Sequence, residues 1–153
     1  MSEIESGHIA IRFVNEINRH DLVALASLMA PDFRYVDSQG HETRGRERMC
    51  QAWTALFEAF PEYRIAIREH VEIGQVVALF GTASGVEAAS ADAHRRWTIP
   101  AAWRAVVSEG HITEWHAYGG REPLSRIPAP VDQADPPFRR ESRPGGGSES
   151  VTP

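Results

Sequence analysis

The stretch MCQAWTALFEAFPEYRIAI, residues 49–67, changes period in its middle. Met49, Trp53, Leu56, Phe57 and Phe60 stand at i, i+4, i+7, i+8 and i+11, the spacing of one helix face. Pro61 stops that helix, because proline has no N–H to donate and its ring collides with the preceding turn. Beyond it Tyr63, Ile65, Ile67 and Val71 alternate with Arg64, Arg68 and His70, the period of a half-buried strand. Everything upstream of this switch reads mainly as helix, and everything downstream as strand.

Upstream, Ile9, Phe13 and Ile17 form a helical stripe flanked by Ala10 and Val14. Asp21 suits the N-cap of a second helix carrying Leu22, Leu25, Leu28 and Met29, with Pro31 after its end. Phe33 to Asp37 reads as a strand, Ser38-Gln39-Gly40 as a turn, and the third helix starts after Gly45. Downstream, Val76 to Ala83 is a mostly apolar strand. Trp97, Ile99, Ala101, Trp103 and Ala105 share one face of a long strand, and Ser108-Glu109-Gly110 turns the chain into a last strand from His111 to Tyr118. Three helices that precede a meander cannot build parallel crossover units. The order predicts an α+β fold, with the helices packed on one face of a curved antiparallel or mixed sheet. Such a sheet curls around its helices and leaves an apolar cavity at the open end.

Composition narrows the chemistry. All 16 basic residues among the 153 are arginine, so no Schiff-base, pyridoxal-anchoring or P-loop lysine is possible. Catalysis must then rest on Asp, Glu, His, Tyr, Arg, the single Cys50 or a cofactor. A net charge of -5 argues against a nucleic-acid or membrane-surface partner. One cysteine, no secretory leader in MSEIESGH and no long apolar run fit a cytoplasmic protein. Residues 128–153 hold six of the ten prolines and the run Gly145-Gly146-Gly147. That segment reads as a disordered tail, leaving residues 1–127 as the domain.

Three segments carry a resemblance: HDLVALASLMAPDFRYVDSQG, TRGRERMCQAWTALFEAFPEY and GHITEWHAYGG. With the spacing between them they resemble the nuclear transport factor 2-like superfamily, and within it the SnoaL-like polyketide cyclases and ketosteroid isomerases. The resemblance implies a cone-shaped α+β barrel whose sheet wraps three N-terminal helices around a deep apolar pocket. It also implies a homodimer, a hydrophobic small-molecule substrate, and acid/base chemistry without metal or organic cofactor. Asp37 falls on the isomerases' proton-shuttling aspartate. Phe13 falls on their tyrosine oxyanion donor, and Ala101-Ala102-Trp103 on the region of their second, carboxylic donor. The aspartate of SnoaL-type cyclases would fall near Gly119-Gly120, and the last-strand aspartate of limonene epoxide hydrolases near Ala117. The chain therefore keeps the base and departs from the family at both donors.

The residues supply three candidate groups. Asp37 fits a carboxylate base in an apolar cavity, and it equally fits a cap on the turn that follows it. On the last strand Ile112, Glu114, His116 and Tyr118 share one face. If that face looks into the cone, His116 serves as acid or base and Tyr118 as an oxyanion donor. If it looks outward, it meets a dimer partner. Phe13, Trp53, Phe57, Trp97 and Trp103 fit a lining for a flat hydrophobic substrate, and they fit plain core packing as well. The seven histidines show no metal-ligand spacing, so no metal is expected.

Overall fold

The computed structural model describes residues 5–86 and 96–119. Three helices occupy Ser6–Asn18 (α1), Leu22–Leu28 (α2) and Arg46–Ala59 (α3). Six strands follow the chain as Met29–Val36 (β1), Glu42–Arg44 (β2), Arg64–Ile73 (β3), Val76–Val86 (β4), Arg96–Ser108 (β5) and His111–Gly119 (β6). Asp21 caps α2 as its sequence position suggests, its side chain accepting from Ala24 N at 3.0 Å. Two differences from the sequence reading are local. β1 begins at Met29 rather than Phe33, taking over the end assigned to the second helix, and β2 is a short strand the sequence does not announce.

The strands form one curved mixed sheet in the order β2-β1-β6-β5-β4-β3, open at both edges. Every pair is antiparallel except β1 with β6, where Tyr35 lies opposite Trp115 and Val36 opposite His116. That parallel pair carries the first strand back beside the last. It joins the helical half of the chain to the meander. α1 crosses β3 to β6, α3 covers β1 and β2, and α2 fills the corner between the other two helices.

The space between helices and sheet is filled by large side chains. Phe13, Ile17, Leu25, Phe33, Trp53, Leu56, Leu79, Trp103 and Trp115 are all buried there. At the β3 edge Asn18 makes a reciprocal pair with Ile65, Nδ2 donating to its carbonyl and Oδ1 accepting from its N–H, both at 2.8 Å. Further along, β3 carries one extra residue opposite Gly81: Ile67 pairs Gly81 and Glu69 pairs Phe80, leaving Arg68 between them. No helix among the described residues is long and apolar enough to cross a membrane. Residues 128–153, read above as a tail, and Gly120 lie outside the described residues.

Candidate functional site

β1 ends at Val36, and Asp37 is the first residue of the turn beyond it. The turn closes on two main-chain bonds, Asp37 N–H to His41 O at 2.9 Å and Gly40 N–H to Asp37 O at 3.0 Å. Gly40 sits at φ +87°, where only glycine is unstrained. One carboxylate oxygen of Asp37, Oδ1, accepts from both Gln39 N and His41 N at 2.9 Å. The other, Oδ2, lies 3.2 Å from His41 Nδ1. Asp37 is only 6% exposed, yet it is the turn's cap. The cap reading of Asp37 is seen directly: it is a buried carboxylate whose Oδ1 is committed to the main chain.

The last strand corrects an expectation. Glu114, His116 and Tyr118 lie on the sheet face away from the helices, while Trp115 and Ala117 point into the core. The cause is a bulge. Val106 pairs Glu114 and Val107 pairs Ile112, so Thr113 is an extra residue and the alternation flips across it. Ile112 is therefore buried while Glu114 is not, although plain counting puts them on one face. Asp37, beyond the end of β1, follows Val36, which pairs with His116.

On the outer face these residues join a charged patch. Arg34 Nε lies 2.8 Å from Glu42 Oε1, Arg104 Nη1 3.0 Å from Glu114 Oε1, and Arg34 Nη1 3.7 Å from Glu114 Oε2. Arg44 also pairs with Glu42. Burial pushes the Glu42 carboxyl up, but hydrogen bonds from Arg34 and Arg44 outweigh it, and its net position is below the ordinary carboxylate range. His116 stacks on Tyr118 at 4.1 Å, with the Tyr118 hydroxyl 3.2 Å from Nδ1. Burial, and then the guanidinium groups of Arg104 and Arg34, hold the His116 imidazole below its usual pKa against the pull of Glu114 and Asp37. A neutral ring results near pH 7, and its Nδ1 can accept from the tyrosine. A cleft of about 570 Å³ opens beside this patch, lined by Arg68, Phe80, Pro100, Ala102 and Tyr118.

The five aromatic candidates divide between the centre and one end of the fold. Phe13, Trp53 and Trp103 are fully enclosed. Phe13 is the hub, with ring centroids 5.0 Å from Trp115, 6.1 Å from Trp53 and 6.2 Å from Phe33. Trp103 stacks on Trp115. Trp53 Nε1 is buried without a hydrogen-bond acceptor, and Phe13 meets Trp53 nearly edge to face. Phe57 and Trp97 are only partly buried. His20 stacks on Phe57 at 4.0 Å and donates its Nε2–H to Tyr63 O at 2.9 Å, while Trp97 packs on Phe60 and Tyr63. A cleft of about 540 Å³ runs past this end, between His20, Tyr63, Arg64 and Arg96. Cys50 is half-buried, and burial raises its thiol pKa above the ordinary value, the wrong direction for a nucleophile.

Sequence reasoning missed several members of these groups. Trp115 and Phe33 are as central to the aromatic cluster as the three it named. The sequence reading passes over His41, although its place four residues after Asp37 across a glycine turn is legible. Among the described residues no three His, Cys, Asp or Glu side chains gather as a metal would require.

The model of the SnoaL-like domain family matches residues 10–115. The chain belongs to the SnoaL-like domain family. Solved structures agree at the level of fold. A protein with a ketosteroid isomerase-like fold from Catenulispora acidiphila DSM 44928, solved with trimethylamine, is 20% identical with a TM-score of 0.67. That match covers 79% of this chain and 94% of the other. A candidate SnoaL-like polyketide cyclase from Jannaschia sp. CCS1 is 18% identical with a TM-score of 0.67, covering 77% and 88%. An LEH-like epoxide hydrolase from M. tuberculosis is 16% identical with a TM-score of 0.66, covering 75% and 82%. Among curated proteins none matches the chain. At such identities the SnoaL-like domain shares a scaffold with these proteins, and scaffolds of this kind host unrelated reactions.

Proposed function

We propose that this SnoaL-like domain binds a hydrophobic carbonyl compound and moves a proton on it, using its own side chains without metal or organic cofactor. The observation that carries this reading is Asp37. It is a carboxylate 6% exposed, with Oδ2 left uncommitted to the main chain, at the position where the related isomerases hold their base. The reaction class is isomerisation or aldol-type cyclisation, each of which begins by removing a proton next to a ketone. The test is exchange of the α-hydrogens of 1-tetralone in D2O, followed by proton NMR. The wild-type chain should exceed the buffer rate. Asp37→Asn should lose about 10²–10⁴-fold of that excess while still quenching tryptophan fluorescence on binding the ketone. Exchange by Asp37→Asn at the wild-type rate would overturn the proposal.

A second reading is a ligand-binding domain without catalysis. It is favoured by Phe13 and the stretch Ala101-Ala102-Trp103 falling where the resemblance puts the isomerases' oxyanion donors, with Phe13 and Trp103 packed into the aromatic cluster. Binding of 1-tetralone with no exchange in the wild type would select it.

For either reading we assign the outer sheet face, with His116 and Tyr118, to a second copy of the chain. Five large apolar residues are exposed among those described, and four of them, Val71, Ile73, Phe80 and Tyr118, lie on this face. Such clustering marks an interaction surface. The arginines and glutamates around them make the face self-complementary in charge, as a two-fold interface needs. Sedimentation velocity should find a dimer for the wild type and a monomer for Phe80→Glu. A wild type that sediments as a monomer at high micromolar concentration would remove the assignment.

A further inference from the structure

Asp37 is poorly placed to touch a substrate itself. Its Oδ1 receives two main-chain N–H groups, and the residue is almost fully covered. Among the described residues, the side chain within hydrogen-bond reach of its Oδ2 is His41, whose Nδ1 lies at 3.2 Å. His41 in turn is fixed to Asp37 through its own backbone. Its N–H donates to Oδ1, and its carbonyl accepts from Asp37 N. The ring is therefore oriented by its own backbone as well as by the carboxylate. The His41 side chain is 72% exposed, which leaves its far nitrogen, Nε2, open to whatever approaches this end of the sheet.

A carboxylate facing Nδ1 selects the tautomer with the proton on Nδ1. Nε2 then has a free lone pair and can act as a base, while the carboxylate stabilises the imidazolium that forms. Resting on the acid/base reading above, we infer that His41 Nε2 is the catalytic atom and Asp37 its positioning residue. In the step, the C–H bond next to the ketone breaks and an Nε2–H bond forms. The electron pair moves onto the carbonyl oxygen as an enolate. The imidazolium then returns the proton to carbon, the same one or another, and the neutral ring is restored. The alternative is a turn in which the His41 ring merely rests on the aspartate that caps it.

Two measurements on the full chain decide between these. Long-range proton–nitrogen NMR reads the tautomer directly. The wild type should show His41 protonated on Nδ1 alone, and Asp37→Asn should give a mixture or the opposite tautomer. A wild-type ring protonated on Nε2 would overturn the inference whatever the activity. In the 1-tetralone exchange assay, His41→Gln should lose as much as Asp37→Asn, and the double variant should be no worse than either. His41→Gln with full exchange, beside an inactive Asp37→Asn, would overturn the relay and leave the acid/base reading standing. No exchange by the wild type would remove both, so the two failures are distinguishable.

Discussion

Replacing Trp115 with alanine should cost about 3–5 kcal/mol of stability, seen as a large drop in the urea midpoint at unchanged slope. Trp115 lies on β6, an inner strand of the sheet, opposite Tyr35 on one side and Ala105 on the other. Its ring is enclosed, meets Phe13 edge-on at 5.0 Å and stacks on Trp103 at 6.2 Å. Alanine would leave a void between α1 and the sheet. The helix cannot settle into that void, because Phe13 also touches Trp53 and Phe33. Domains of this size have total stabilities of about 5–15 kcal/mol, so the variant should be marginal at 37 °C. A loss below about 1 kcal/mol would mean that the aromatic cluster can close over the gap.

Gly81→Ala should do comparable damage in a smaller region. A Cβ on Gly81 would stand 1.8 Å from the carbonyl oxygen of Ala66 and 2.9 Å from its carbon. These are main-chain atoms, so no rotamer relieves the clash and β3 itself must move. Overpacking usually costs about 1–3 kcal/mol, and a collision with backbone belongs at or above the upper end. β3 is an edge strand, so it can lift away while β4, β5 and β6 stay paired. Hydrogen exchange should therefore speed up at the β3 amides that bond to β4, with the β5 and β6 amides still protected. Unchanged protection in β3 would show that the strand absorbs the methyl by sliding its bulge.

The sequence shows the elements more clearly than their assembly, and the reasons are physical. Local period and Pro61 suffice to place α3 and β3, because helix and strand faces repeat within a few residues. The parallel pairing of β1 with β6 joins residues some eighty positions apart. No local signal marks it. The outward turn of His116 and Tyr118 was hidden by one extra residue, Thr113, which reverses the alternation between Ile112 and Glu114. A better clue was the chemistry of the opposite face, since Trp115 and Ala117 are the residues a core would choose. Asp37 was legible as the cap of the turn after β1. What could not be read was how its two oxygens divide, one to the main chain and one to His41.

The pairing of Asn18 with Ile65 has a consequence beyond local stability. An edge strand offers a row of unsatisfied N–H and C=O groups, an invitation to a strand from another molecule. The amide of Asn18 has the same donor and acceptor as a peptide unit, and it occupies both groups of Ile65 from the side where a seventh strand would add. One helix-borne side chain thus acts as a counterfeit strand one residue long. It covers the edge of β3 at Ile65, where a strand from another molecule would otherwise find both groups open.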